Sequence, residues 1–234
     1  MPVLFGDVSP AGRSMVSWAT QAWADRREVV DMLLQPHGNV PGATYRWCAE
    51  PAPLFAFGTG LSYTTFSFAW GDGTPAEWGN GTPAEWGDGA PAGSSATPPT
   101  VSLMAAALAA GSAAPPQYRV NVTNTGNVTS DVSVLAFVSS DQPDEPIEEL
   151  FDFGRTALLR PGETRTLTFS LGVAVLASGH GGRSAPTAAS GRAAPALFVR
   201  PGVYEVRIGD TRGTGNFVVA RLRVEGDAPV ELSG

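Results

Sequence analysis

Leu54-Phe55-Ala56-Phe57-Gly58-Thr59-Gly60-Leu61-Ser62-Tyr63-Thr64-Thr65-Phe66 decides how the rest of this chain is read. Phe55, Phe57, Tyr63 and Phe66 flank a Gly-Thr-Gly turn. Its glycines can take a positive φ or let a second backbone approach closely. Ser62 to Phe66 read as extended, being rich in β-branched and aromatic side chains. Aromatic surface of this kind is costly to leave in water, so the stretch is expected to lie buried against something. The sequence on its two sides differs in kind.

Upstream the pattern is mixed. Residues 3–5 (Val-Leu-Phe) predict a short strand and residues 7–12, with Pro10 and Gly12, a turn. Residues 14–20 read as extended. Residues 21–34 carry a weak helical pattern, with Trp23, Val30, Leu33 and Leu34 on one face and Asp25, Arg26, Arg27 and Glu28 outside. After a Pro/Gly loop, residues 43–48 predict a strand with Tyr45 and Trp47 on one side. Cys48 is the only cysteine, so no intrachain disulfide forms. It reads as a small buried apolar group, with a bridge to a partner as the alternative. The N-terminus has neither the charged region nor the apolar run of a signal peptide. A chain that opens on an interior-type strand reads as part of something longer.

Downstream, residues 67–70 continue extended. Gly71-Asp72-Gly73-Thr74-Pro75-Ala76-Glu77-Trp78 is then repeated as Gly79-Asn80-Gly81-Thr82-Pro83-Ala84-Glu85-Trp86. That composition cannot bury a core, so residues 71–99 are expected to be a disordered low-complexity linker. From residue 100 the pattern is β. Tyr118, Val120 and Val122 alternate with Arg119, Asn121 and Thr123. Residues 131–139 are apolar on both faces. Leu167, Phe169 and Leu171 alternate with polar residues, as do Tyr204, Val206 and Ile208, and residues 217–224 close the set. About seven short strands separated by turns predict a β-sandwich over residues 100–226. The Ala/Gly/Ser-rich residues 172–195 read as a second flexible insertion, and 227–234 as a tail.

Composition narrows the function classes. The formal net charge of -7, with a pI near 4.8, argues against a nucleic-acid partner. No apolar run reaches the length of a membrane-spanning helix. Hydrophobic residues make up 43% of the chain, enough for a core, while only 16% are charged.

The order of motifs resembles glycoside hydrolase family 3. Phe5-Gly6-Asp7-Val8-Ser9-Pro10-Ala11-Gly12-Arg13 is similar to that family's G-D-x-N-P-G-G-R turn. Val40-Pro41-Gly42-Ala43-Thr44-Tyr45-Arg46-Trp47 resembles its Y-P-G-R-T-Y-R-F segment, and residues 57–66 its F-G-x-G-L-S-Y-T-x-F. Val122-Thr123-Asn124-Thr125-Gly126, Phe153-Gly154-Arg155, Leu159-Arg160-Pro161-Gly162-Glu163 and Gly202-Val203-Tyr204-Glu205-Val206 resemble the fibronectin type III-like domain that ends many of these enzymes. Tyr45-Arg46-Trp47 leans toward the plant-type β-xylosidase and α-arabinofuranosidase branch over the β-glucosidases. Departures are Ser9 for the usual Asn, Ser14-Met15 for Leu-Pro, Ala43 for Arg, and Trp47-Cys48 for an aromatic pair.

The resemblance implies a mainly β chain: a fibronectin III-like (immunoglobulin-like) β-sandwich preceded, over residues 1–70, by the truncated tail of an α/β sandwich domain. It also implies a parent enzyme that releases terminal sugars from β-glycosides with retention, using two carboxyl groups roughly 5 Å apart. Both would belong upstream of Phe5, so no catalytic residue is expected here and the chain alone should be inactive. The parent is expected to be extracellular, to use no cofactor, and to meet an oligosaccharide or polysaccharide substrate. The chain's partners would be the upstream catalytic domains. The alternative is an independent, non-catalytic β-sandwich that binds polysaccharide or protein.

Candidate sites follow. Phe57, Gly58, Gly60, Leu61, Ser62, Tyr63 and Phe66 are the expected domain-junction motif. Asn121 and Asn127 head N-glycosylation sequons; that of Asn80 is followed by Pro83. Asp141, Asp144, Glu145, Glu148, Glu149 and Asp152 read as a solvated acidic loop. His37 and His180, the only histidines, lack metal-ligand spacing. Trp70, Trp78 and Trp86 recur eight apart and could stack on sugars, but slippage of a repeated coding sequence explains them better.

Overall fold

In the computed structural model, Tyr118, Val120 and Val122 are fully buried while their neighbours Arg119 and Asn121 stay at least partly in solvent. That alternation makes Gln117–Asn124 the centre of a three-stranded antiparallel sheet. The structure describes residues 2–28, 30–48, 51–72, 100–140, 142, 145–178, 197–210 and 216–232. All of the eight-residue repeat after Gly71-Asp72, with Trp78, Trp86 and Asn80, lies outside them, as do Asp141, Asp144, His180 and most of the 172–195 insertion.

The strands are β1 Phe66–Trp70, β2 Thr100–Met104, β3 Gln117–Asn124, β4 Ser133–Ser140, β5 Glu149–Arg155, β6 Thr164–Ser170, β7 Ala177–Ser178, β8 Phe198–Val199, β9 Gly202–Gly209, β10 Phe217–Glu225 and β11 Val230–Glu231. Four short helices accompany them: α1 Gln21–Ala24, α2 Thr44–Trp47, α3 Ala105–Ala109 and α4 Val173–Leu176. One sheet has the order β1-β3-β6; the other is β2-β10-β9-β4-β5, parallel only between β2 and β10. Their inner faces enclose one core. Phe68, Tyr118, Val120, Val122 and Phe169 come from the first sheet, and Val134, Ala136, Tyr204, Val206, Ile208, Ala220 and Leu222 from the second. A small sheet, β11-β8-β7, covers one end of the core with α3, where Leu108, Leu176 and Val199 are buried. The chain is mainly β, as expected.

Several local expectations are corrected. The sandwich takes its first strand, β1, from ahead of the repeat and pairs it with β3 from Phe66↔Asn124 to Trp70↔Val120, so it does not start at about residue 100. Residues 3–5 form a turn, closed by Gly6 and Asp7 amides donating to the Val3 and Pro2 carbonyls, and Phe5 is 81% exposed. No strand among the described residues runs beside it to pair its backbone. The helix expected over 21–34 stops after one turn. Trp23 Nε1 donates to the Gly42 carbonyl, Arg26 to that of Asn39 and Arg27 to that of Pro41, so tertiary bonds to the 39–42 loop replace helix propagation. Residues 43–48 are the helical turn α2, not a strand. Residues 105–109 leave the strand pattern for α3 because an alanine run favours helix. In the 172–195 segment, α4 and β7 are ordered, and Leu176 and Ala177 sit in the core.

The acidic stretch is also not uniformly solvated. Glu148 is buried against Arg207, while Glu149 and Asp152 belong to β5.

Candidate functional site

The five-stranded sheet has a second apolar face, turned away from the core. Leu135 and Phe137 on β4 alternate with core residues, yet are only 7% and 2% exposed. The described residues of 2–65 run across this face as an irregular strap, and the candidate site is the seam between the two.

Aromatic packing holds its middle. The rings of Tyr45 and Phe57 stack with centroids 4.3 Å apart, and both meet the Phe137 ring edge-on at 6.1 Å. Arg207 of β9 reaches over the same face. Its guanidinium lies 5.5 Å from the Phe137 ring and 5.1 Å from that of Phe217, and it pairs with Glu148. Both partners are about 10% exposed, so removing either would strand a buried charge. This ties up the one buried carboxylate among the described residues in an ion pair. Beside it, the Tyr45 hydroxyl accepts from the Leu150 amide at 3.2 Å. Burial pushes the Tyr45 pKa upward, partly offset by that hydrogen bond.

These contacts explain α2. The turn places Tyr45 on the aromatic stack, Arg46 Nη2 2.7 Å from Glu149 Oε2, and the Arg46 carbonyl where it accepts from the Ile147 amide at 2.7 Å. It is entered through Thr44 at φ +64, a left-handed conformation strained for a β-branched residue.

The first motif forms the second anchor. Arg13 Nη1 lies 2.8 Å from Asp210 Oδ1, its Nε donates to the Ser133 carbonyl, and Ser133 Oγ donates to the Ala11 carbonyl. The Phe57–Tyr63 motif runs alongside. The Ser14 amide donates to the Thr59 carbonyl, the Gly58 amide to that of Ser14, and the Tyr63 amide to Ser9 Oγ. The two glycines divide the roles expected of them: Gly58 takes φ +80, while a Cβ on Gly60 would stand 2.5 Å from the Gly12 carbonyl oxygen.

The third anchor is Asn124, fully buried at the end of β3. Its Oδ1 accepts from Thr64 Oγ1 at 2.7 Å and the Gly126 amide at 3.1 Å. Its Nδ2 donates to the Val128 and Leu159 carbonyls at 2.8 and 2.9 Å. One amide thus joins the strap, the Asn124-Thr125-Gly126 turn and the Leu159–Glu163 turn.

The junction motif is only half covered. Phe57 and Gly58 face the seam, and Phe66 in β1 packs on the core. Ser62 Oγ lies 3.2 Å from Ser9 Oγ, and the Tyr63 hydroxyl donates to the Val3 carbonyl. Leu61, however, is 80% exposed and Tyr63 46%, so this half of the motif is not covered by the described residues of the chain. A cleft of about 190 Å³ at the seam, lined by Pro10, Arg13, Leu61, Ser62 and Asp210, is smaller than the pockets that enclose organic ligands. Sequence inspection did not find Arg13, Asp210, Arg46, Glu149, Arg207 or Asn124 as seam residues. Asn124, Arg13 and Arg46 stand inside recognised motifs and Glu149 in the acidic stretch, while Asp210 and Arg207 carry no local signal. Of the sequon residues, Asn127 is exposed in its turn and Asn121 half-buried on β3.

No protein-family model matches the chain. It is 31% identical over 223 residues to the "probable exo-1,4-beta-xylosidase" of Aspergillus flavus, covering 93% of this chain and 25% of that protein. To the exo-1,4-beta-xylosidase of Emericella nidulans it is 33% identical over 178 residues, 74% of this chain and 20% of that protein. Among solved structures, a family 3 exo-beta-xylosidase in complex with a xylobiose aziridine probe superposes with TM-score 0.70 at 22% identity, covering 100% of this chain and 26% of the other. The family 3 beta-glucosidase of Bifidobacterium adolescentis follows with TM-score 0.62 and 21% identity, covering 97% and 27%. The chain spans about a quarter of the length of the proteins it matches. With its motifs gathered at one seam, it is a homologue of the C-terminal part of glycoside hydrolase family 3 enzymes.

Proposed function

We propose that this chain is the non-catalytic terminal portion of a retaining family 3 glycoside hydrolase. Its fibronectin III-like sandwich, residues 66–72 and 100–226, acts as a structural module on which the strap is held for the catalytic domains. The strap is the tail of the preceding α/β domain. The observation that carries this reading is the two-sidedness of the strap. Tyr45, Phe57, Arg13 and Arg46 bind the sandwich, while Leu4, Phe5, Met15, Met32 and Leu61 are each at least 74% exposed. Exposed apolar surface on this scale marks an interaction face.

The parent's substrate would be a terminal β-xyloside or α-arabinoside in preference to a β-glucoside. Two matched relatives are named exo-xylosidases, and Tyr45-Arg46-Trp47 suits the plant-type branch. The parent would act outside the cell and need no cofactor, because its two carboxylates suffice for a retaining displacement.

A chimera tests the proposal. The A. flavus relative without its matching quarter, and the same protein with this chain in that place, are assayed on nitrophenyl β-xyloside. The chimera is expected to be soluble and active, and the truncated enzyme and this chain alone to stay at the buffer blank. Turnover by the purified chain alone, or full activity of the truncated enzyme, overturns the proposal.

A further inference from the structure

The structure separates two sequons that the sequence treats alike. Asn121-Val122-Thr123 lies on β3, the central strand of its sheet, paired with β1 and β6 on either side. Asn121 is half-buried there. Its Oδ1 accepts from Thr166 Oγ1 at 2.7 Å on the neighbouring strand, and a Cβ placed on Gly71 would come within 3.1 Å of the same oxygen. A glycan on its amide nitrogen would have to leave between two filled strands.

Asn127-Val128-Thr129 lies in the connection between β3 and β4. Asn127 and Thr129, the two residues an acceptor sequon must present, are both exposed, and neither side chain is engaged in a described hydrogen bond. The residues around them are fixed: Asn124 holds the Val128 carbonyl from inside, and the Thr125 and Gly126 amides are bound to the Thr65 carbonyl. The turn is therefore a supported platform whose sequon side chains face solvent, the setting in which a bulky glycan costs the fold least.

We propose that Asn127 is an N-glycan acceptor and Asn121 is not. The bond formed joins Asn127 Nδ2 to the anomeric carbon of a lipid-pyrophosphate-linked oligosaccharide; the lipid pyrophosphate leaves and the amide loses one proton. The modification requires passage through a secretory compartment, and so rests on the proposal that the parent enzyme is exported. A host-supplied leader makes the test independent of that proposal.

The whole chain is secreted from yeast behind a cleavable leader, treated with an amide-cleaving glycosidase, and mapped by mass spectrometry for conversion of Asn to Asp. Conversion is expected at Asn127. Asn127→Gln and Thr129→Ala, which remove the sequon from its two ends, should each abolish the gel shift at that site, and Thr129→Ser should restore it. Asn121→Gln should leave the Asn127 glycan unchanged. Secreted chain with an unmodified Asn127, or with the glycan on Asn121 instead, overturns the proposal. If the Asn127→Gln chain is not secreted, the Thr129 pair decides the outcome.

Discussion

Asn124 concentrates more structure in one side chain than any other described residue of the sandwich. Both Nδ2 protons and the Oδ1 acceptor are satisfied inside a site with no exposure, so each lost bond leaves a buried carbonyl or hydroxyl alone. At about 1–3 kcal/mol for each orphaned group, Asn124→Ala should lower the unfolding free energy by roughly 3 kcal/mol. Asn124→Asp, which keeps the shape and the acceptor but loses both donors, should cost nearly as much; urea unfolding of either variant checks this. Tyr118 is the converse. Its ring packs between Trp70 and Phe151, but its hydroxyl finds no hydrogen-bond partner among the described residues, and burial drives its pKa well above the usual phenol range. Tyr45 shifts the same way. A phenol whose folded pKa is raised binds its proton more tightly in the native state. Its contribution is therefore whole below pH ~10, the unfolded value, and is lost as pH climbs toward the folded one. Stability should fall above pH ~10, and Tyr118→Phe should flatten that fall while changing neutral-pH stability by no more than ~1 kcal/mol. A steep alkaline loss in Tyr118→Phe equal to that of the parent chain would refute the assignment.

At the scale of elements, legibility in the sequence followed from where each element gets its free energy. β3 and β10 alternate buried and more exposed side chains, so their strand pattern is readable, and the inward set named for β3, Tyr118, Val120 and Val122, is buried, as are Phe169 of β6 and Tyr204, Val206 and Ile208 of β9. Burial of each such aliphatic side chain contributes about 1.5–3 kcal/mol, which outweighs local propensity. The strap is different. Its helices are four residues long, too short to show a period; the 39–42 loop limits α1, while α2 and the segment around Arg13 are held by partners over a hundred positions away, Glu149 for Arg46 and Ser133 for Arg13. No local pattern encodes that. The motif carrying Phe57 and Gly60 was found as a motif, yet which of its residues face the seam depended on the sheet it meets. The Arg13–Asp210 pair can be weighed directly. Its side chains are 15% and 21% exposed, against 59% and 34% for Arg165–Glu163. A double-mutant cycle to Ala should give a coupling of ~1 kcal/mol for the first pair and near zero for the second. Equal couplings would mean that the seam gains nothing from its partial burial.

On the scale of the whole molecule, the strap packs on the sandwich through a seam that buries Phe137 and leaves an apolar outer surface exposed. Phe5, Met15 and Leu61 illustrate the asymmetry: they are at least 80% exposed, while Phe137 beneath the strap is 2% exposed. Solvent-exposed side chains normally alter stability by less than ~0.5 kcal/mol when replaced. If these residues serve only a partner surface, Phe5→Ser, Met15→Gln and Leu61→Ser together should leave the unfolding curve of the isolated chain almost unchanged and lower its binding of a hydrophobic dye. The same triple substitution in the A. flavus chimera should have the opposite weight, because there the three side chains would be taken out of water by the rest of the enzyme. Loss of their burial, at roughly 1.5–3 kcal/mol each, is large enough to release the terminal portion and reduce xylosidase activity severely. Unfolding of the isolated chain would show instead that these residues support the strap itself. An unaffected chimera would show that the catalytic domains are seated elsewhere.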